Sequence, residues 1–173
     1  MPRVLAIACV ALAALCHARD GALDANEMQI LLGWASHFSG RPLAPTAEIP
    51  VTSALSAEVL ARTVCPEDLA RCRRVVAAYD AEHRRIVHLD TLDIHDPVDR
   101  SFLVHELVHY LQHLQRGDAF LIASCSASLA SEREAYRAQD RYLAHVGHRR
   151  RAGQVLLFTH CDDGETPSRA ARD

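Results

Sequence analysis

The chain contains no lysine: all 19 basic residues are arginine, against 22 acidic ones, for a net charge of −3. Acid in excess and no basic stripe argue against nucleic acid as a partner. Internal repeats and low-complexity segments are absent, which excludes solenoid and linker-type organisation. There is no Cys-x-x-Cys pair, so zinc held by paired cysteines is not the expected use of its six cysteines. Apart from one stretch at the N-terminus, no long apolar run suggests a membrane span.

That stretch has the form of an export signal. Arg3 opens it, Val4 to Leu15 is apolar and uncharged, and Cys16-His17-Ala18 ends on a small residue suited to cleavage. Residues 1–18 are therefore expected to be a signal peptide, leaving a secreted or periplasmic protein. An uncleaved N-terminal anchor is the alternative, and would be the only contact with a membrane. A lipoprotein is disfavoured because Leu15 is a poor residue before a lipidated Cys16. Removal of Arg3 takes the net charge from −3 to −4. The remaining chain of about 155 residues is enough for one core and too short for two substantial ones, so residues 19–161 are expected to form a single domain. A polar tail, 162–173, is expected to fray.

Cys65, Cys72, Cys125 and Cys161 remain after cleavage, an even number that suggests two disulfides in an exported protein. Of the three connectivities, Cys65–Cys72 with Cys125–Cys161 is expected, because the first pair is close in sequence.

Residues 105–109 read His-Glu-Leu-Val-His. Asp96 as N-cap, Pro97 at the first helical position, Asp99 three residues past the cap and Gly117 as a stop frame a helix around them. At about 100° per residue, Leu103, Leu107, Tyr110, Leu111 and Leu114 share one side, with Val104 and Val108 beside them. His105, His109 and His113 fall on the other side, turned toward a cleft, with Glu106 at its margin. Two histidines four residues apart can share one tetrahedral metal ion, and the glutamate between them can reach a water at that ion. The chain has 11 histidines, so a chance His-Glu-x-x-His has a probability of roughly 4%. A solvated, coincidental histidine face is the bland alternative. His113 is read as a cleft or surface residue rather than a ligand.

A catalytic zinc ion takes three protein ligands and leaves a fourth position open. A third histidine shortly downstream is excluded, because Gln112 and Gln115 occupy the positions that pattern needs as glycine and histidine. The other source is a glutamate on the next helix, which runs from Ser126 through Leu143 without proline or glycine until Gly147. Glu132 shares a largely apolar, inward face with Ala135, Tyr136, Gln139 and Leu143. Glu134 shares a solvent-like face with Arg137, Ala138 and Arg141, and has a second job available as capping-box partner of Ser131. Glu132 is the expected ligand, with Glu134 as the alternative.

From Val75 to Leu143 the chain resembles the gluzincins, His-Glu-x-x-His metallopeptidases whose third ligand is a glutamate, and among these small exported bacterial proteins with a minimal zincin core. The likeness supplies a chemistry and no particular substrate. It implies an α+β fold in which a small antiparallel sheet packs on the His-Glu-x-x-His helix and a second long helix. It also implies one catalytic Zn2+ on His105, His109 and Glu132, Glu106 as general base, and a peptide or protein substrate able to pair with an edge strand. The group often shows Glu-x-x-x-Asp on its second helix; here Tyr136 stands at the aspartate position. Tyr110, Tyr136, Tyr142, His113, His145 and His148 are candidate oxyanion donors. Asp90, Asp93 and Asp96 are candidate acceptors for the ligand imidazoles. An exported metal-binding or interaction domain on the same scaffold, without turnover, is the rival reading.

Elsewhere, Asp24 and Glu27 form a capping-box pattern opening a helix from about Ala25 to His37. A proline-containing loop runs from Gly40 to Pro50, a short strand begins near Val51, and Ala57 to Val64 reads as a short helix. Arg74 to Tyr79 and Arg85 to Leu89 read as strands joined by a hairpin. Arg149-Arg-Arg151 are expected to end the second long helix, where cations complement its dipole.

Overall fold

A computed structural model describes residues 23–70, 72–121 and 123–161. The expected signal peptide, 1–18, and the expected frayed tail, 162–173, lie outside the described residues. The architecture is α+β, with four helices and one three-stranded sheet. No described helix is long and apolar enough to cross a membrane.

Helix α1 spans Ala25–Ser39 and opens on the capping box: Glu27 N–H donates to Asp24, and Asp24 N–H donates to the Glu27 carboxylate. Gly40, at φ 77°, closes it in a left-handed conformation that glycine adopts without steric cost. Strand β1 (Thr52–Leu55) leads into α2 (Ala57–Val64), and β2 (Ala77–Asp80) turns through a hairpin into β3 (Arg85–Leu89). Strand β2 begins three residues later than its valine content predicts, because Cys72–Arg74 are held in turns after the Cys65–Cys72 disulfide.

The sheet order is β1-β3-β2. β2 and β3 pair antiparallel, with Tyr79 opposite Ile86, whereas β1 pairs parallel to β3, with Thr52 opposite Ile86. The sheet is thus mixed rather than antiparallel throughout. Helix α2 and the loop after it carry the chain to the far edge, and the hairpin then lays β3 alongside β1. A hairpin is legible in local sequence; the non-local partner of β1 is not.

Helix α3 (Pro97–Arg116) has the cap its sequence predicts, Asp96 accepting from the N–H groups of Val98 and Asp99. Helix α4 (Cys125–His145) follows a 3-10 turn at Gly117–Phe120. Helices α1, α3 and α4 pack on one another around Leu31, Leu32, Leu103, Leu107, Leu111 and Ala135, and β3 contributes Ile86. Each fully buried leucine there contributes about 1.5–3 kcal/mol. Leu114, expected in this stripe, is 45% exposed because the last turn of α3 emerges from the packed layer. Arg149-Arg-Arg151 lie beyond Gly147, past the end of α4, and cap no helix.

The histidine side of α3 is not a solvent face. From Leu103 to His113 every residue is buried, polar ones included, because α4, β2 and the 3-10 turn cover that side as α1 covers the other.

Candidate metal centre

His105 and His109, one turn apart on α3, point their Nε2 atoms at each other across 3.1 Å. Glu132, on α4, lies over the gap. Its Oε2 is 3.3 Å from His105 Nε2 and its Oε1 3.2 Å from His109 Nε2. The two carboxylate oxygens thus face one imidazole each, and one ligand atom from each of the three residues lies within 4.8 Å of the other two, close enough for all three to reach one ion. Among the described residues this is the group of histidine, cysteine and acidic side chains able to hold an ion together.

The electrostatics favour a dication. Burial works against a charge on His109, but the neighbouring Glu132 and Glu106 carboxylates outweigh it and lift its pKa to about 9. Burial pushes Glu132 up, yet its contacts with His105 and His109 prevail and hold it far below the usual carboxylate range. Two carboxylates facing two imidazoles leave a negative pocket unless protons or a cation fill it.

Glu106 sits beside this group, buried and held through Oε2 by the backbone N–H of Tyr79 at 2.8 Å. That N–H is free to do so because β2 is an edge strand and Tyr79 occupies a position whose backbone groups point away from β3. Oε1 is the oxygen left for a proton.

His109 has a built partner that sequence reasoning missed. Gln112 Oε1 lies 2.9 Å from His109 Nδ1 and also accepts from the Ser131 hydroxyl, while Gln112 Nε2 donates to the Ser131 carbonyl. In the neutral ring, an acceptor at Nδ1 keeps the proton there and leaves the lone pair at Nε2, facing the donor cluster. Spacing of three on a helix could have signalled this pair. The aspartates expected in that role are engaged elsewhere or outside: Asp96 caps α3, Asp93 accepts from His95 N–H, and Asp90 is exposed.

Glu134 turns away from the cluster and is clamped by Arg41, whose guanidinium donates to both its carboxylate oxygens and to Gln115. It is neither a solvated residue nor a cap, since α4 begins at Cys125 with Ser124 as its N-cap. His113 is no part of the cluster; its Nδ1 lies 2.9 Å from the Tyr79 hydroxyl and its ring stacks on Phe120.

The other expected donors are dispersed. The Tyr110 hydroxyl donates to the Glu48 carbonyl, Tyr142 is buried in the core, and His145 packs on Trp34 and Phe38. His148 lies in a separate, arginine-lined depression. Tyr136 alone of that set joins the site: its ring centroid is 4.4 Å from that of His105 and it lines the same cleft. Burial first, then Glu132 and Glu106, raise its pKa, so its hydroxyl keeps its proton at neutral pH. Its back is braced by the 3-10 turn Gly153–Phe158, and a Cβ at Gly153 would come 2.7 Å from that of Tyr136. The Cys125–Cys161 disulfide ties the far end of this segment to the start of α4. Both disulfides thus pair as expected, and they suit an oxidising, extracellular setting.

The cleft over these residues has a volume of about 600 Å³. One wall is β2, including Ala77, Ala78 and Tyr79; Phe120 and Phe102 add apolar surface. A family model described as a domain of unknown function (DUF6647) matches residues 21–165. No curated protein and no solved structure matches the chain.

Proposed function

The chain belongs to the family described as domain of unknown function DUF6647, and from the geometry of its site we propose that it is an exported, zinc-dependent metallopeptidase-like hydrolase of the gluzincin type. The observation that carries the reading is the convergence of His105, His109 and Glu132: the two Nε2 atoms lie 3.1 Å apart and each faces its own Glu132 carboxylate oxygen at 3.2–3.3 Å, with Glu106 beside them.

His105, His109 and Glu132 would hold a zinc ion, which would supply Lewis acidity to a water and to the scissile carbonyl. Glu106 takes the proton of that water on Oε1 and returns it to the leaving amine, its other oxygen steadied by Tyr79 N–H. Tyr136 offers a protonated hydroxyl in the same cleft for the oxyanion. An extended peptide fits along β2, where Ala77 repeats the outward backbone register of Tyr79 and lines the cleft. Gln112 holds His109 in the ligating tautomer.

One observation favours a metal-binding domain without turnover: anchorage of Glu106 to Tyr79 is a structural job that needs no catalysis. A proteome-derived peptide library incubated with wild type and with Glu106→Gln separates the two. The hydrolase reading expects one zinc per chain in both proteins and cleavage by the wild type alone. Zinc in both with cleavage in neither leaves the binding domain; less than stoichiometric zinc in the wild type overturns both.

A further inference from the structure

Two buried polar atoms beside the metal centre have no hydrogen-bond partner, Nδ1 of His105 and Oε1 of Gln139. They are complementary. If His105 ligates through Nε2, its Nδ1 carries a hydrogen and needs an acceptor; Oε1 is an acceptor without a donor. A buried polar group left without a partner loses the hydrogen bonds water would give it, so the coexistence of both in one site calls for an explanation.

The orientation of the Gln139 amide is fixed by its other end. Ser101 Oγ–H donates to the Val98 carbonyl, which commits the only hydroxyl proton and leaves Oγ as an acceptor. Gln139 Nε2 donates to that Oγ at 3.0 Å. The nitrogen of the amide therefore faces Ser101 and the oxygen faces the other way, with no freedom to flip.

The two orphans also belong to one place. Ser101 is one turn before His105 on α3, and Gln139 is one turn after Tyr136 on α4, whose ring packs against that of His105. Both His105 and Gln139 line the cleft. Tyr136 itself brings no carboxylate to His105.

We infer that Gln139 is the positioning residue of His105, accepting the Nδ1 hydrogen through Oε1 across one buried water, and so holding the Nε2 lone pair on the metal. The inference rests on the metal-site reading above. It makes the centre symmetric: Gln112 on α3 serves His109, and Gln139 on α4 serves His105. Each ligand imidazole then has an amide oxygen behind it, a neutral acceptor that raises ligand basicity less than a carboxylate would.

The test compares zinc affinity, by competition with a chromophoric chelator, in wild type, Gln139→Leu and Gln139→Glu, alongside histidine-ring 15N–1H spectra of the zinc-loaded wild type. Gln139→Leu is expected to weaken zinc binding about 10–100-fold, and Gln139→Glu, which keeps an acceptor, to restore it to within a few-fold of wild type. The wild-type spectra should show His105 protonated at Nδ1 and metal-bound at Nε2. A purely structural role for Gln139 would leave Gln139→Glu as weak as Gln139→Leu, since both lose the bond to Ser101, and that result overturns the inference. So does unchanged affinity in Gln139→Leu or, should that variant not fold, an Nδ1 ligand in the wild-type spectra. A wild type that takes up no zinc removes the metal reading itself and the inference with it.

Discussion

The helical layer and the sheet differ in how firmly they are built, and the site is divided between them. α1, α3 and α4 supply most of the fully buried side chains, while β1 and β2 are four residues each and nowhere fully buried. All three donor residues stand on α3 and α4, where packing holds the two histidines and Glu132, its side chain 40% exposed, is held by its contacts with them. The wall against which a substrate would lie is β2, joined to the layer by Tyr79 through its N–H to Glu106 and its hydroxyl to His113. Coordination of a metal would demand tolerances of tenths of an ångström and would sit on the rigid part; accommodation of a chain would demand less and would sit on the slighter one.

The sharpest way to break this division is to remove donors from the rigid side. His105→Ala or His109→Ala should abolish stoichiometric zinc in metal analysis of the purified protein. Glu132→Ala should weaken zinc binding far more than Glu134→Ala, which loses the clamp to Arg41 and a side-chain contact with Gln112. The reverse ranking would overturn the choice of third ligand.

A second contrast concerns stability. Leu107→Ala opens a cavity between α3 and its neighbours and should cost about 2–5 kcal/mol in denaturant unfolding. Tyr79→Phe, on the sheet side, removes one hydroxyl bond and should cost about 0.5–1.5 kcal/mol, leaving zinc content unchanged. Comparable losses would show that the sheet is as integral to the core as the helices.

A third contrast is a pH dependence confined to the metal-free protein. His109 is raised to about 9 from 6.5, so its contribution is fully present below pH 6.5 and lost as pH climbs through 9. Glu132 is lowered from 4.5, so its contribution is present above pH 4.5 and lost on acidification. Melting of the chelator-treated protein should therefore be highest between these limits and fall toward pH 9. The zinc-loaded protein should not show the alkaline fall, since the metal then replaces the proton on His109. Identical melting profiles with and without chelator would rule out this coupling.

Much of the site was legible because its determinants are local. A helix fixes the spacing of residues four apart, so His105 and His109 could be placed together, and the apolar face of α4 singled out Glu132 over Glu134. Gln112 was legible in principle, three residues from His109, and was passed over because it was read only as a departure from a histidine-rich pattern. Tyr79 and Phe120 could not be found, since they come from other elements and reach α3 only in three dimensions. Similarly, Arg149-Arg-Arg151 carry a charge signal that suits a helix end, but Gly147 stops the helix before them.

By itself the sequence determined the four helices, the caps of α1 and α3, the hairpin, the disulfide cysteines and the candidate donors. Those depend on propensity, period and turn chemistry within a few residues. Tertiary structure decided that β1 runs parallel to β3, that the histidine face is buried, that Arg41 holds Glu134 away, and that Gln112, held by Ser131, stands behind His109. Each of these depends on which faces meet across long stretches of chain, a choice made by the core as a whole and written in no single segment.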